Sequence, residues 1–171
     1  MPRVEVLRTY LELSSPEQLK PAPCPDPRAR VARVEDCPPS FFRYLYVEVG
    51  RRYHWTDRLA WSDDEMAARL AAPNVSLHLL SVAGAPAGYF ELEREKDGAV
   101  NVAFFGLLPE FLGRGLGKFL LTQAAQEAFA LGASRVWLHT CTLDDPAALP
   151  NYLARGFRKV REETYEADLP A

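Results

Sequence analysis

The chain has 171 residues, 48% hydrophobic and 25% charged, with a net charge of −3. That length suffices for a single domain, 1–171, with a sizeable core, and the near-balanced charge gives no support for a nucleic-acid partner. No apolar run reaches the roughly 18 residues of a membrane span, and the start MPRVEVLRTYLEL lacks a secretion-signal layout. Cys24, Cys37 and Cys141 lie too far apart for a zinc site or a disulfide framework, so no metal is expected and the cytoplasm is the most economical location.

Val4 to Leu13 alternates apolar and polar residues and reads as a first strand. Pro16, Pro21, Pro23, Pro25 and Pro27 then forbid a helix, which makes residues 14–30 a long surface loop before a short strand at Ala32–Val34. Past Pro39, the residues Phe42, Leu45, Tyr46 and Val49 share one helical face, and Gly50 stops the helix. An aromatic stretch follows, with Tyr53, His54, Trp55 and Trp61. Ser62-Asp63-Asp64-Glu65 is a capping box that opens a helix running through Met66, Leu70 and Ala71.

Val75–Ala83 and Ala87–Glu95 read as a hairpin turned by Gly84-Ala85-Pro86. Its second strand puts Tyr89, Glu91, Glu93 and Glu95 on one face and Phe90 and Leu92 on the other. Lys96-Asp97-Gly98 turns into a third strand from Val100. Consecutive antiparallel strands are not the start of a dinucleotide-binding domain. The apolar run Val102–Leu108 then meets Pro109, the alternate glycines Gly113, Gly115 and Gly117, and a helix-period segment to Leu131. A glycine-rich turn at a helix start gathers bare N–H groups at a positive helix end and cradles anions; Arg114 and Lys118 add charge beside it. The same glycines could also serve only to join strand to helix. Phosphate-loop spacing fails, because Phe119 follows Lys118, and the dinucleotide fingerprint fails at Leu120. Arg135–Thr142 is the next strand and should run parallel to the Val100 strand. Asp144-Asp145-Pro146 starts a helical segment carrying Leu149, Tyr152 and Leu153, with Pro150 costing it a hydrogen bond. Lys159–Glu166 is the last strand.

The stretch Leu112-Gly113-Arg114-Gly115-Leu116-Gly117 resembles the pyrophosphate loop [QR]xxGx[GA] of GNAT-superfamily N-acetyltransferases at every position but the first. Asn151-Tyr152-Leu153-Ala154-Arg155-Gly156-Phe157 resembles the family's LYxxxGF element, and the two together cover residues 75–166. The resemblance implies an α/β GNAT fold: a mixed, mostly antiparallel sheet of six or seven strands with helices on both faces. Residues 1–74 would form the acceptor side and 75–166 the acetyl-CoA-binding core. It also implies that Leu107, Leu108, Leu112, Gly113, Arg114, Gly115, Leu116, Gly117, Lys118, Asn151 and Tyr152 hold acetyl-CoA. Two parallel strands should part near a bulge beside Gly106 and Leu107 to admit the pantetheine arm.

The implied reaction moves the acetyl group to a primary amine by direct attack through a tetrahedral intermediate, with the Leu107 N–H facing the oxyanion and Tyr152 protonating the leaving thiolate. Freeing an ammonium of pKa ~10.4 at pH 7 costs about 4.6 kcal/mol. The family often meets this with a glutamate on the strand before the glycine turn. Here that strand offers Asn101, which can hold only a water, so Glu91 and then Glu93 are the carboxylates next in line; the alternative is that no residue serves as base and the amine arrives deprotonated. The aromatic stretch, by the same resemblance, lines an acceptor pocket or simply packs the helices, and Cys141 reads as a small core residue. A binding module without turnover, or transfer of a larger acyl group, is the alternative activity. The expected acceptor is a small-molecule or peptide amine, and exposed strand edges leave a homodimer open.

Overall fold

Alternation along the strands and a 3.6-residue period along the helices dictate two layers of helix around one sheet. In the computed structural model, which describes residues 2–169, the strands are β1 (Arg3–Leu13), β2 (Ala29–Arg33), β3 (Val75–Val82), β4 (Ala85–Arg94), β5 (Val100–Leu107), β6 (Val136–Cys141) and β7 (Arg158–Asp168). The α-helices are α1 (Pro39–Gly50), α2 (Asp63–Ala71), α3 (Leu116–Ala130) and α4 (Ala148–Ala154). The strands form one sheet in the order β2-β3-β4-β5-β6-β1-β7. Every pairing is antiparallel except β5 with β6.

Odd and even positions of β4 serve opposite layers. Tyr89 packs with Leu77 and Leu108 under Phe42, Leu45, Val49 and Met66 of α1 and α2. Phe90 and Leu92 face the other way, where Leu116, Leu120, Leu121 and Ala124 of α3 close the larger core. The capping box at Ser62 forms, with Glu65 reaching back to the Ser62 N–H at 2.7 Å.

Several local expectations are corrected. β2 begins at Ala29, three residues earlier than expected, because the proline run ends at Pro27 and the backbone can pair with His78–Val82 from there. The β3–β4 turn is Ala83-Gly84, with φ of 51° and 85°, so Ala85 and Pro86 belong to β4. Pro86 is tolerated there because the register shifts beside it, opposite Ser81. Pro150 costs no hydrogen bond. The helix α4 starts at Ala148, which leaves Pro150 in the first turn, and the first bond is Asn151 N–H to the Ala147 carbonyl at 3.1 Å. The proline-rich segment is tied down rather than free: Ala22 N–H donates to Thr122 Oγ1 at 2.9 Å and Lys20 N–H to the Arg155 carbonyl at 2.8 Å.

Candidate active site

The parallel pair β5–β6 starts in register and then separates. Val100 pairs with Val136 and Asn101 with Trp137, and no later pair forms, although β5 continues to Leu107 and β6 to Cys141. The bulge responsible is at Ala103, not beside Gly106 and Leu107. Glu91 opposes Phe104 and Leu92 opposes Val102, which leaves Ala103 unpaired. The bulge also switches the direction of the backbone donors. Leu108 N–H donates to the Ala87 carbonyl at 2.8 Å, toward β4, so alternation turns the Leu107 and Phe105 N–H groups toward the gap.

At the end of β5 the chain makes a 3-10 turn, Pro109–Phe111, and enters α3 through Gly113 and Gly115, with φ of 75° and 76°. Both positions demand glycine. Among the described residues, none of the N–H groups from Gly113 to Lys118 finds a protein acceptor. These six donors stand at the positive end of a 15-residue helix.

The gap and the loop open into one cavity of about 1250 Å³. Of the residues expected to contact acetyl-CoA, Leu107, Leu112, Gly113, Gly115, Gly117, Lys118, Asn151 and Tyr152 line it. Leu108 and Leu116 are instead core residues, and Arg114 turns its guanidinium over the Phe111 ring at 5.0 Å. Asn151 Nδ2 donates to the Gly117 carbonyl at 3.3 Å and so ties α4 to α3, while its buried Oδ1 has no partner. Tyr152 is 7% exposed, its ring 6.3 Å from Phe105. Burial, with the nearby Asp144 carboxylate, holds the Tyr152 hydroxyl well above the ordinary tyrosine range.

The carboxylates on β4 are placed very differently. Glu93 lines the cavity directly across from Asn101, whose buried Oδ1 has no partner. Glu91 is on the same face but fully buried away from the cavity, with both oxygens held by guanidiniums: Arg58 at 2.6 and 2.8 Å, and Arg69 at 2.8 and 3.1 Å. Arg69 also binds Glu93 at 2.7 Å. The sequence pattern therefore puts the glutamates on one face but misses their two arginines. No periodic signal marks Arg58, which stands in irregular chain between α1 and α2.

The aromatic stretch both packs on its neighbours and lines the cavity. Trp55 packs on Phe104 at 5.0 Å and on Tyr46 at 5.7 Å, and Tyr53, His54, Trp55 and Trp61 all line the cavity. The Tyr53 hydroxyl crosses to Asp145 at 3.1 Å, joining this stretch to the β6–α4 loop. Burial, and then that bond, push the Tyr53 hydroxyl up to about 12. Cys141 lines the cavity half-buried rather than filling the core, and burial pushes its thiol up, away from the thiolate a nucleophile needs. Among the described residues no helix is long and apolar enough to cross a membrane.

The sequence model of the acetyltransferase (GNAT) family matches residues 27–157. No curated protein matches the chain. Among solved structures it is similar to a GCN5-related N-acetyltransferase from Kribbella flavida, with 21% identity and a TM-score of 0.68, over 96% of this chain but 58% of that one. The chain thus spans little more than half of that relative's length. An aminoglycoside acetyltransferase from an uncultured soil metagenomic sample is 15% identical with a TM-score of 0.63, over 76% of this chain and 89% of its own. The ribosomal-protein-S18-alanine N-acetyltransferase of Escherichia coli is 18% identical with a TM-score of 0.62, over 78% and 79%. At these identities the likeness establishes a common fold.

Proposed function

The chain belongs to the acetyltransferase (GNAT) family, and from that premise we propose that this acyltransferase moves an acetyl group from acetyl-CoA to a primary amine. One observation carries the reading: β5 and β6 part after Asn101 and Trp137, and the gap leads to six N–H groups without acceptors. A backbone cradle at a helix start suits a diphosphate, and a strand edge with free N–H groups suits an amide-bearing arm.

Bound acetyl-CoA supplies an activated thioester; the remaining work falls to the chain's own groups. The N–H groups from Gly113 to Lys118 grip the diphosphate, with the Lys118 ammonium beside them. Leu112, where the family pattern has a polar residue, leaves that grip to the backbone. Leu108 and Leu116 hold the cradle's shape from within the core, and Arg114 adds longer-range charge. The Phe105 N–H binds the pantetheine arm, and the Leu107 N–H meets the oxyanion. Tyr152 keeps its proton at neutral pH and delivers it to the departing sulfur. Asn101 Oδ1 holds a water through which Glu93, facing it across the strand pair, takes the proton of the acceptor ammonium.

The acceptor enters beside Tyr53 and Trp55. Family relatives are named for aminoglycosides and for a ribosomal-protein alanine, so both small-molecule and peptide amines belong in the test. As part of the same proposal the enzyme works in the cytoplasm, as one chain or a homodimer, without a nucleic-acid or membrane partner. Calorimetric titration with coenzyme A should give a Kd in the ~1 μM to 1 mM range of enzyme–substrate contacts. Thiol release from acetyl-CoA should then appear with at least one of a panel of polyamines, amino acids, aminoglycosides and lysine peptides. Failure to bind coenzyme A overturns the proposal. Binding without thiol release for any amine would favour a module that holds acyl-CoA without turnover.

A further inference from the structure

Glu91 carries more partners than a proton acceptor can use. Its side chain is 0% exposed and that of Arg58 is 6% exposed, with two hydrogen bonds between them in a fork. Arg69, from α2, closes on the same carboxylate and on Glu93. The Arg58 guanidinium also lies over Phe104 at 4.3 Å and Trp61 at 4.8 Å, and the backbone N–H of Arg58 donates to the Tyr46 hydroxyl at 3.2 Å. A buried ion pair seldom improves on apolar side chains of equal volume as a source of stability. What it supplies is direction: a planar guanidinium in a carboxylate fork has one orientation.

That direction matters because of what surrounds Arg58. It sits in the middle of residues 53–61, which have little regular structure and yet form one wall of the cavity. Glu91 sits on β4 opposite Phe104, beside the bulge that parts the sheet. The fork therefore joins the least regular part of the wall to the strand that fixes the groove. Trp55 has a seat of its own: a Cβ on Gly50 would lie 2.5 Å from Trp55 Cβ, so the side chain rests directly on α1.

We propose that the Glu91–Arg58–Arg69 fork is a latch that sets residues 53–61 against the cavity, making Glu91 and Arg58 positioning residues that govern acceptor affinity. The part concerning the acceptor rests on the acyl-transfer reading; the part concerning the loop does not. Glu91 then takes no proton from substrate, contrary to the role its strand position suggested.

Two variants test this, Glu91→Gln and the apolar pair R58M/E91L. Both are read by hydrogen exchange of residues 53–61, by acceptor KM and kcat, and by calorimetry with coenzyme A. For Glu91→Gln we expect exchange at least tenfold faster in 53–61, acceptor KM raised at least tenfold, coenzyme A affinity within twofold of wild type, and the acidic limb of the pH–kcat profile in place. The apolar pair should fold even if the single variant does not, and should show the same fast exchange and raised KM. Wild-type exchange in either folded variant overturns the latch. So does loss of the acidic limb at unchanged KM, which would make Glu91 the base. If the wild-type protein turns over no amine, the acyl-transfer reading fails by itself and the exchange measurement still decides the latch.

Discussion

In the proposed reaction Tyr152 is the proton donor, and its surroundings suit that role. Burial and Asp144 raise its hydroxyl pKa, so the proton stays on across the working pH range. Phenylalanine in its place should lower kcat by about 10² to 10⁴ while leaving coenzyme A affinity unchanged, measured by thiol release and calorimetry. A tyrosine acid of raised pKa also gives no alkaline limb in the pH–kcat profile below about pH 10. For the proton going the other way, Glu93→Gln should abolish the acidic limb that Glu91→Gln leaves intact. The place of Tyr152 and Asn101 at the cavity was legible in the sequence, one from its spacing to Gly156 and the other from its strand before the glycine turn. Arg58 was not, since its partner lies 33 residues away and only the fold brings them together.

At the scale of elements, the strand–turn–helix unit from Val100 to Ala130 was readable almost residue by residue. Apolar run, alternate glycines and helical period each have a distinct local cause. The bulge was not readable. Ala103, Phe104 and Phe105 are all apolar, so alternation has no phase there and an extra residue leaves no mark on the pattern. The glycine turn gives a sharp test. At φ of 76°, alanine at Gly115 carries a left-handed strain of roughly 1–2 kcal/mol, which the ordinary contact its Cβ would make with Pro25 at 3.6 Å does not relieve. If the variant loop relaxes away from the cradle, ligand binding must restore it, and coenzyme A affinity should fall by about 5- to 30-fold. Calorimetry with Gly115→Ala checks this, and an unchanged Kd would mean that the loop keeps the cradle's shape under strain.

For the molecule as a whole, sheet order was the least legible feature. The insertion of β1 between β6 and β7 joins Arg3 to Asp168 and leaves no local trace in either strand. Non-local packing at the other end of the sheet, between β2, β3 and β4, should make the stability of the protein depend on pH. His78 on β3 is 4% exposed, stacked on Phe90 at 4.6 Å, with Nε2 at 3.0 Å from Ser76 Oγ. Burial, with Arg33 facing it from β2, lowers its pKa from 6.5 to about 4. Between those values the unfolded chain holds a proton on this histidine and the folded chain does not, so stability rises with pH across that window. Acidification through it should cost about 3 kcal/mol in all, a large share of the roughly 5–15 kcal/mol that holds a domain folded. Urea midpoints should therefore fall steadily from about pH 6.5 to about pH 4. His78→Gln, which cannot take the proton, should flatten most of that slope even if it lowers stability at pH 7, whereas an unchanged slope would assign the acid sensitivity to other groups.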